Sequence, residues 1–177
     1  FALGDLDGNG TLDALNSGLE SARPPTVLLN LSLPGMLLIG TNGAAIVSGA
    51  SADTATGTEF GYVASGSGRT NILSITNSGT ETLEISGYGL SDENVQVHNL
   101  PATVAARSAS HVDVVFSSSA AGDYTAVLII TNNTSTSNYV VNLAGACYVI
   151  STNAGPVGGS NTVSVSNGYF GTITNVL

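Results

Sequence analysis

An all-β chain built around an antiparallel sandwich is the fold class this sequence predicts, and three observations predict it. No window of a dozen residues sustains a helical period. Segments that alternate apolar and polar at every second residue recur along the chain instead, set apart by clusters of Gly, Asn and Ser. Hydrophobic residues make up 42% of the 177, enough for a core, whereas charged residues make up only 8%, against roughly 25% in an ordinary soluble domain. Surface polarity therefore comes from Ser, Thr, Asn and Gly, which suit turns and sheet surfaces better than helices.

The expected strands, in order, are Thr26–Ser32, Met36–Ile39, Ala44–Val47, Phe60–Val63, Thr70–Thr76, Thr82–Ser86, Val95–His98, His111–Phe116, Tyr124–Thr131, Tyr139–Ala144, Thr162–Ser166 and Thr172–Leu177. Leu73 and Ile75 share a face, as do Leu83 and Ile85. Val112, Val114 and Phe116 share another, with His111, Asp113 and Val115 opposite. Such alternation buries one face and wets the other. Tyr124–Ile130 is apolar on both faces and is expected at the centre of a sheet. Asn77-Ser78-Gly79, Ala121-Gly122-Asp123 and Asn132-Asn133 mark turns.

Breakers divide the chain. Arg23-Pro24-Pro25 reads as a loop within the first segment, Pro34-Gly35 closes that segment, and the glycine-rich run from Gly145 to Gly159 separates the middle from the tail. The expected units are 1–34, 35–146 and 147–177. The chain begins at Phe1 with no initiator Met or signal peptide and reads as a piece of a longer precursor.

Charge narrows the function. The chain has no Lys and three Arg (Arg23, Arg69, Arg107), with a formal net charge of −9. That leaves no basic patch for nucleic acid and disfavours anionic membrane surfaces. No apolar run approaches the ~20 residues of a spanning helix, so membrane insertion is not expected. The single cysteine, Cys147, is either a buried thiol or the partner of a cysteine elsewhere. His98 and His111 read as solvent-facing, no Gly-x-Ser-x-Gly precedes a helix, and Asp92-Glu93 reads as a wet turn, so no enzyme is expected.

Residues 5 to 13 read Asp5-Leu6-Asp7-Gly8-Asn9-Gly10-Thr11-Leu12-Asp13. Oxygen side chains alternate along it, glycines permit a tight turn, and the Thr11 carbonyl can add a backbone ligand. Calcium takes six to eight oxygens, and carboxylates this close repel one another without a cation. Asp5, Asp7, Asn9, Thr11 and Asp13 are the candidate Ca2+ ligands; the alternative is an acidic turn held by Asx hydrogen bonds. An EF-hand wants a bidentate Glu at the twelfth position, which here is Asn16. The segment from Leu3-Gly4-Asp5 through Asp13-Ala14-Leu15, followed by Val27-Leu28-Leu29-Asn30, resembles instead the FG-GAP/VCBS repeat of integrin-type propeller blades, a resemblance that implies a calcium loop joining two strands.

The middle of the chain resembles the choice-of-anchor D domain, related to Hydin-like immunoglobulin folds. The stretches that carry the resemblance are Ile39-Gly40-Thr41-Asn42-Gly43, Gly57-Thr58-Glu59-Phe60-Gly61-Tyr62-Val63, Ile75-Thr76-Asn77-Ser78-Gly79-Thr80-Glu81-Thr82-Leu83, Ala121-Gly122-Asp123-Tyr124 and Leu143-Ala144-Gly145. The resemblance implies an immunoglobulin-like antiparallel sandwich of seven to nine strands, of the kind found in long surface or scaffold proteins, and it transfers no catalytic residue. Phe60, Phe116 and Tyr124 are expected in the core. Residues 148–177, with Gly155-Pro156-Val157-Gly158-Gly159, Asn161-Thr162-Val163-Ser164-Val165 and Gly168-Tyr169-Phe170-Gly171, resemble the start of an IPT/TIG domain.

Partial β-modules thus flank a full one. Two functions follow as expectations. The first is a structural part of an extracellular filament, stalk or surface protein that assembles with other copies or domains of its precursor through exposed β-edges. The second is a calcium-dependent adhesin module that binds a glycan or a surface protein. Asn-x-Ser/Thr sequons start at Asn9, Asn30, Asn132 and Asn133. Asn132 and Asn133, in an expected turn, and Asn30 are the glycosylation candidates.

Overall fold

A computed structural model describes residues 2–4, 13–16, 26–28, 33–153 and 162–167. Every regular element among them is a strand: β1 (Ala2–Gly4), β2 (Asp13–Asn16), β3 (Thr26–Leu28), β4 (Met36–Ile39), β5 (Ala45–Ile46), β6 (Glu59–Ala64), β7 (Gly68–Asn77), β8 (Leu83–Leu90), β9 (Val95–His98), β10 (Thr103–Val104), β11 (Ala109–Ser117), β12 (Gly122–Asn132), β13 (Asn138–Tyr148), β14 (Ile150–Asn153) and β15 (Thr162–Val165).

Two five-stranded sheets form the body, in the orders β10-β8-β12-β13-β6 and β5-β4-β7-β11-β9. All pairs are antiparallel except β13 with β6. The alternation read from the sequence supplies the inner faces. Leu73 and Ile75 of β7, Leu83 and Ile85 of β8, and Val112, Val114 and Phe116 of β11 are buried, together with Phe60, Leu128, Ile130, Val141 and Leu143. Two apolar inner faces must cover one another to leave water, and that makes a sandwich. The fold class is all-β and immunoglobulin-like. It has ten strands rather than seven to nine, because two-residue β5 and β10 complete the sheet margins.

Aromatic packing fills the middle. Phe116 lies 5.7 Å, centroid to centroid, from both Phe60 and Tyr124. Phe60 and Phe116 are fully buried; Tyr124 is half-buried and packs against the core. Room for the Phe116 ring comes from Gly145, where an added Cβ would stand 2.8 Å from Phe116 Cδ1 and Cε1. β13 therefore continues through Gly145 to Tyr148 instead of stopping at Ala144, and a division after residue 146 would cut this strand. A glycine read as a breaker is here a packing device on an extended strand.

β12 is central in its sheet, as expected, but only one of its faces is covered. Leu128 and Ile130 are buried, whereas Val127 is half-buried and Ile129 is 38% exposed.

Side-chain hydrogen bonds tie one sheet to the other. Asn77, fully buried, accepts from the backbone N–H groups of Gly35 and Gly79 and donates to the carbonyls of Glu81 and Val104. Tyr139 of β13 donates its hydroxyl to the Ile46 carbonyl on β5. Among the described residues no buried side-chain nitrogen or oxygen lacks a partner, as a polar group without water requires.

Candidate functional site: strand margins and the flanking hairpins

The candidate calcium ligands Asp5, Asp7, Asn9 and Thr11 lie outside the described residues, as does the Arg23-Pro24-Pro25 loop. Asp13 is described. It opens β2, is buried at 1% exposure, and stands opposite Gly4 as the last pair of the β1–β2 hairpin. Residues 5–12 thus connect two paired strands. β3 adds to β2 as a third antiparallel strand. Among the described residues no three His, Cys, Asp or Glu converge as metal ligands.

At the other end, β13 passes through Val149 alone into β14, which pairs with β15. The hairpin is pinned to the sandwich. Asn167, in the left-handed region at φ 65°, directs its Nδ2 at the carbonyls of Gly122 (2.9 Å) and Cys147 (3.0 Å) and at Asp123 Oδ1 (3.2 Å). Asn tolerates this conformation better than most residues. The sequence reading missed Asn167; its signal, Asn followed by Gly168, is a common turn pair.

The four sheet margins differ. β5 and β10 have two residues each, too short to template a neighbour. β6 is bulged at Gly61, which has φ 65°, and Arg69 donates to the Phe60 carbonyl at 2.8 Å. β9 is straighter and pairs with β11 along all four of its residues. The Ser117 N–H donates to the Asn94 carbonyl opposite it at 2.9 Å. By the alternation of antiparallel ladders, Gln96 and His98 then exchange bonds with β11, and the Val97 peptide groups turn toward the margin.

His98 and His111 are exposed on the outer face of this sheet. Cys147 is fully buried, its thiol donating to the Ser118 carbonyl at 3.4 Å; it is the buried-thiol reading of the two the sequence left open. Of the sequons, Asn30 lies outside the described residues. Asn132 is buried, its Nδ2 donates to the Ile130 carbonyl, and its Oδ1 accepts from the Thr134 N–H and hydroxyl. A glycan on that nitrogen does not fit this folded state. Asn133 is exposed, with Nδ2 on the Thr82 carbonyl and Oδ1 accepting from the Glu84 N–H.

No family model matches the chain, and no curated protein is similar to it. Solved structures are similar in shape. A protein of unknown function from Porphyromonas gingivalis W83 superposes with a TM-score of 0.50 at 9% identity, over 76% of this chain and 64% of that one. The chain therefore spans under two thirds of the length of that structure. The ASH/PapD-like domain 7 of human CEP192 gives 0.45 at 10% identity over 73% of this chain and 96% of that one. The secreted serine protease VesC from Vibrio cholerae gives 0.40 at 16% identity over 56% of this chain and 22% of the protease. At such identities the first likeness concerns the fold alone, and the other two say nothing of what this chain does.

Proposed function

We propose that this chain is a non-catalytic structural module of an extracellular filament, stalk or surface protein, related to choice-of-anchor D domains, that joins other copies or domains of its precursor by strand addition at β9. The margin of β9, which among the described strands pairs with β11 alone, carries the reading. It is an unbulged four-residue edge whose inner face is apolar and whose Val97 peptide groups point away from its neighbour β11. An added strand gains main-chain hydrogen bonds there without disturbing the ladder. The one-residue junction at Val149 and the Asn167 clasp support it, because they string the sandwich to the next hairpin without a flexible linker.

Calcium belongs to the same proposal. Asp5, Asp7, Asn9, Thr11 and Asp13 would hold a structural Ca2+ in an FG-GAP/VCBS-like loop, and the paired strands that flank residues 5–12, with buried Asp13 at their closing pair, suit that arrangement. The tail is read as the start of an IPT/TIG-like segment, and Asn133 as an acceptor for glycosylation.

Light scattering across a concentration series tests the edge. The unmodified chain is expected to grow in mean mass with concentration. A Gln96→Lys/His98→Lys variant, which places two outward cations on β9, is expected to remain monomeric with an unchanged melting temperature. Dispersed monomers of the unmodified chain at the highest concentration would reject the proposal.

A further inference from the structure

Three Asn-Gly pairs occur in the sequence: Asn9-Gly10, Asn42-Gly43 and Asn167-Gly168. At such a pair the chain can attack itself, because glycine carries no side chain to shield its peptide nitrogen from the asparagine Cγ. The first pair lies outside the described residues. Both members of the second are described, and the asparagine of the third. Asn42 and Gly43 sit at the tip of the β4–β5 hairpin, and both are exposed. Gly43 is in the left-handed region at φ 80°, and a Cβ built on it would meet nothing within 4 Å. Solvent base therefore reaches its peptide.

Asn42 Oδ1 accepts from the Ala44 N–H at 2.9 Å. This Asx turn folds the side-chain carbonyl over the Gly43 peptide, and it sets a donor on the oxygen that gathers negative charge when Cγ is attacked. Among the described residues that bond is the only one the side chain makes, so Nδ2, the leaving nitrogen, is not held. Asn167 is the opposite case. Its Nδ2 is directed at the carbonyls of Gly122 and Cys147 and at Asp123 Oδ1, and it must give these up before it can leave. One bond opposes reaction at Asn42: the Gly43 N–H donates to the Gly40 carbonyl at 3.0 Å. It spans an exposed turn, and bonds of that kind open locally without global unfolding.

We propose that Asn42 is a site of self-modification, converting to aspartate and isoaspartate in the folded chain, while Asn167 is protected. The Gly43 nitrogen gives its proton to hydroxide and bonds to Asn42 Cγ. The Cγ–Nδ2 bond breaks, Nδ2 takes a proton from water and leaves as ammonia, and a cyclic imide remains. Water then opens the imide at either carbonyl. Breaking the nitrogen's bond to Cγ leaves aspartate. Breaking its bond to the Asn42 main-chain carbonyl carbon leaves isoaspartate, whose backbone runs through the side chain and is longer by an atom. Nothing is oxidised or reduced. Either product adds a negative charge to a chain already at −9. Isoaspartate also lengthens the loop that the Gly40 N–H closes on the Ala44 carbonyl at 2.8 Å. The site is independent of strand addition at β9, which lies at the opposite margin of the same sheet.

Peptide mapping by mass spectrometry tests it, on the full chain held at mildly alkaline pH either folded or in concentrated urea. In the folded chain the peptide that holds Asn42 is expected to gain the mass of an amide-to-acid exchange and to split into two isomers. The peptide that holds Asn167 is expected to react about ten-fold more slowly or less, since its amide must first be released. In urea the two are expected to react at similar rates. Gly43→Asp restores a side chain at the attacked peptide with a residue that tolerates positive φ. It is expected to lose the conversion at Asn42 over the same interval, and circular dichroism reports whether its fold is kept. No conversion at Asn42 in the folded chain, equal rates at Asn42 and Asn167 there, a single aspartate product without isoaspartate, or an unaltered rate in folded Gly43→Asp would each overturn the proposal.

Discussion

Asn77 Nδ2 donates to the Val104 carbonyl at 3.0 Å, and with that bond the end of β7 in one sheet is fastened to the margin strand β10 of the other. The same amide serves Gly35, Gly79 and Glu81, so one buried side chain ties the entry to β4, the turn after β7, the approach to β8 and β10.

Replacing Asn77 by Ala removes four hydrogen bonds at once, two from part-buried N–H groups and two to carbonyls, of which the Val104 bond is buried. The expected cost is about 3 kcal/mol or more, beyond that of an average single substitution. Urea unfolding followed by circular dichroism measures it. A loss below about 1 kcal/mol would mean that water replaces the amide without penalty.

Gly145→Ala forces a methyl group against the buried Phe116 ring. Overpacking of this kind costs about 1–3 kcal/mol. Phe116→Leu removes the clashing edge, so the double variant is expected to be less destabilised than the two single losses summed. Strict additivity in a double-mutant cycle would show that Gly145 does not act through Phe116.

Tyr139 gives the sandwich an alkaline limit. Burial raises its phenol above the usual tyrosine range, against a smaller opposing pull from the Leu38 backbone. The neutral phenol is therefore retained more tightly in the folded chain than in the unfolded one. Its contribution is complete below the ordinary tyrosine pKa of about 10 and is lost as pH rises through the folded value. Tyr139→Phe removes the bond to the Ile46 carbonyl, costs about 1 kcal/mol near neutrality, and flattens the fall in stability above pH 10. Identical alkaline profiles for both chains would assign that fall to other groups.

Calcium is tested by calorimetry on the intact chain against Asp5→Ala/Asp7→Ala. The unmodified chain is expected to bind calcium with measurable heat and to melt at a higher temperature in its presence, because a ligand that binds only the native state stabilises it. Equal heats for the two chains would reject the loop as a site.

Periodicity by itself determined most of this sandwich. Met36–Ile39 and Val95–His98 were legible residue for residue, and the inward sets on β7, β8 and β11 follow from alternation, because apolar side chains at every second position leave a strand one dry face. β10 escaped, since a two-residue strand, Thr103–Val104, cannot display a period. The acidic alternation of residues 5–13 is a sequence pattern whose residues 5–12 lie outside the described structure. The adjacency of residues 59–62, 123–125 and 144–146 on one face was not legible, because they meet only through strand register. Tertiary structure alone decided that Gly145 continues a strand, that Asn77 and Asn167 act as fasteners, that Asn132 is buried and Asn133 exposed, and which of the described strands stand at the sheet margins. These depend on which backbone groups and rings approach across the sheets, and a one-dimensional pattern fixes the face of a side chain but not its neighbour on the next strand.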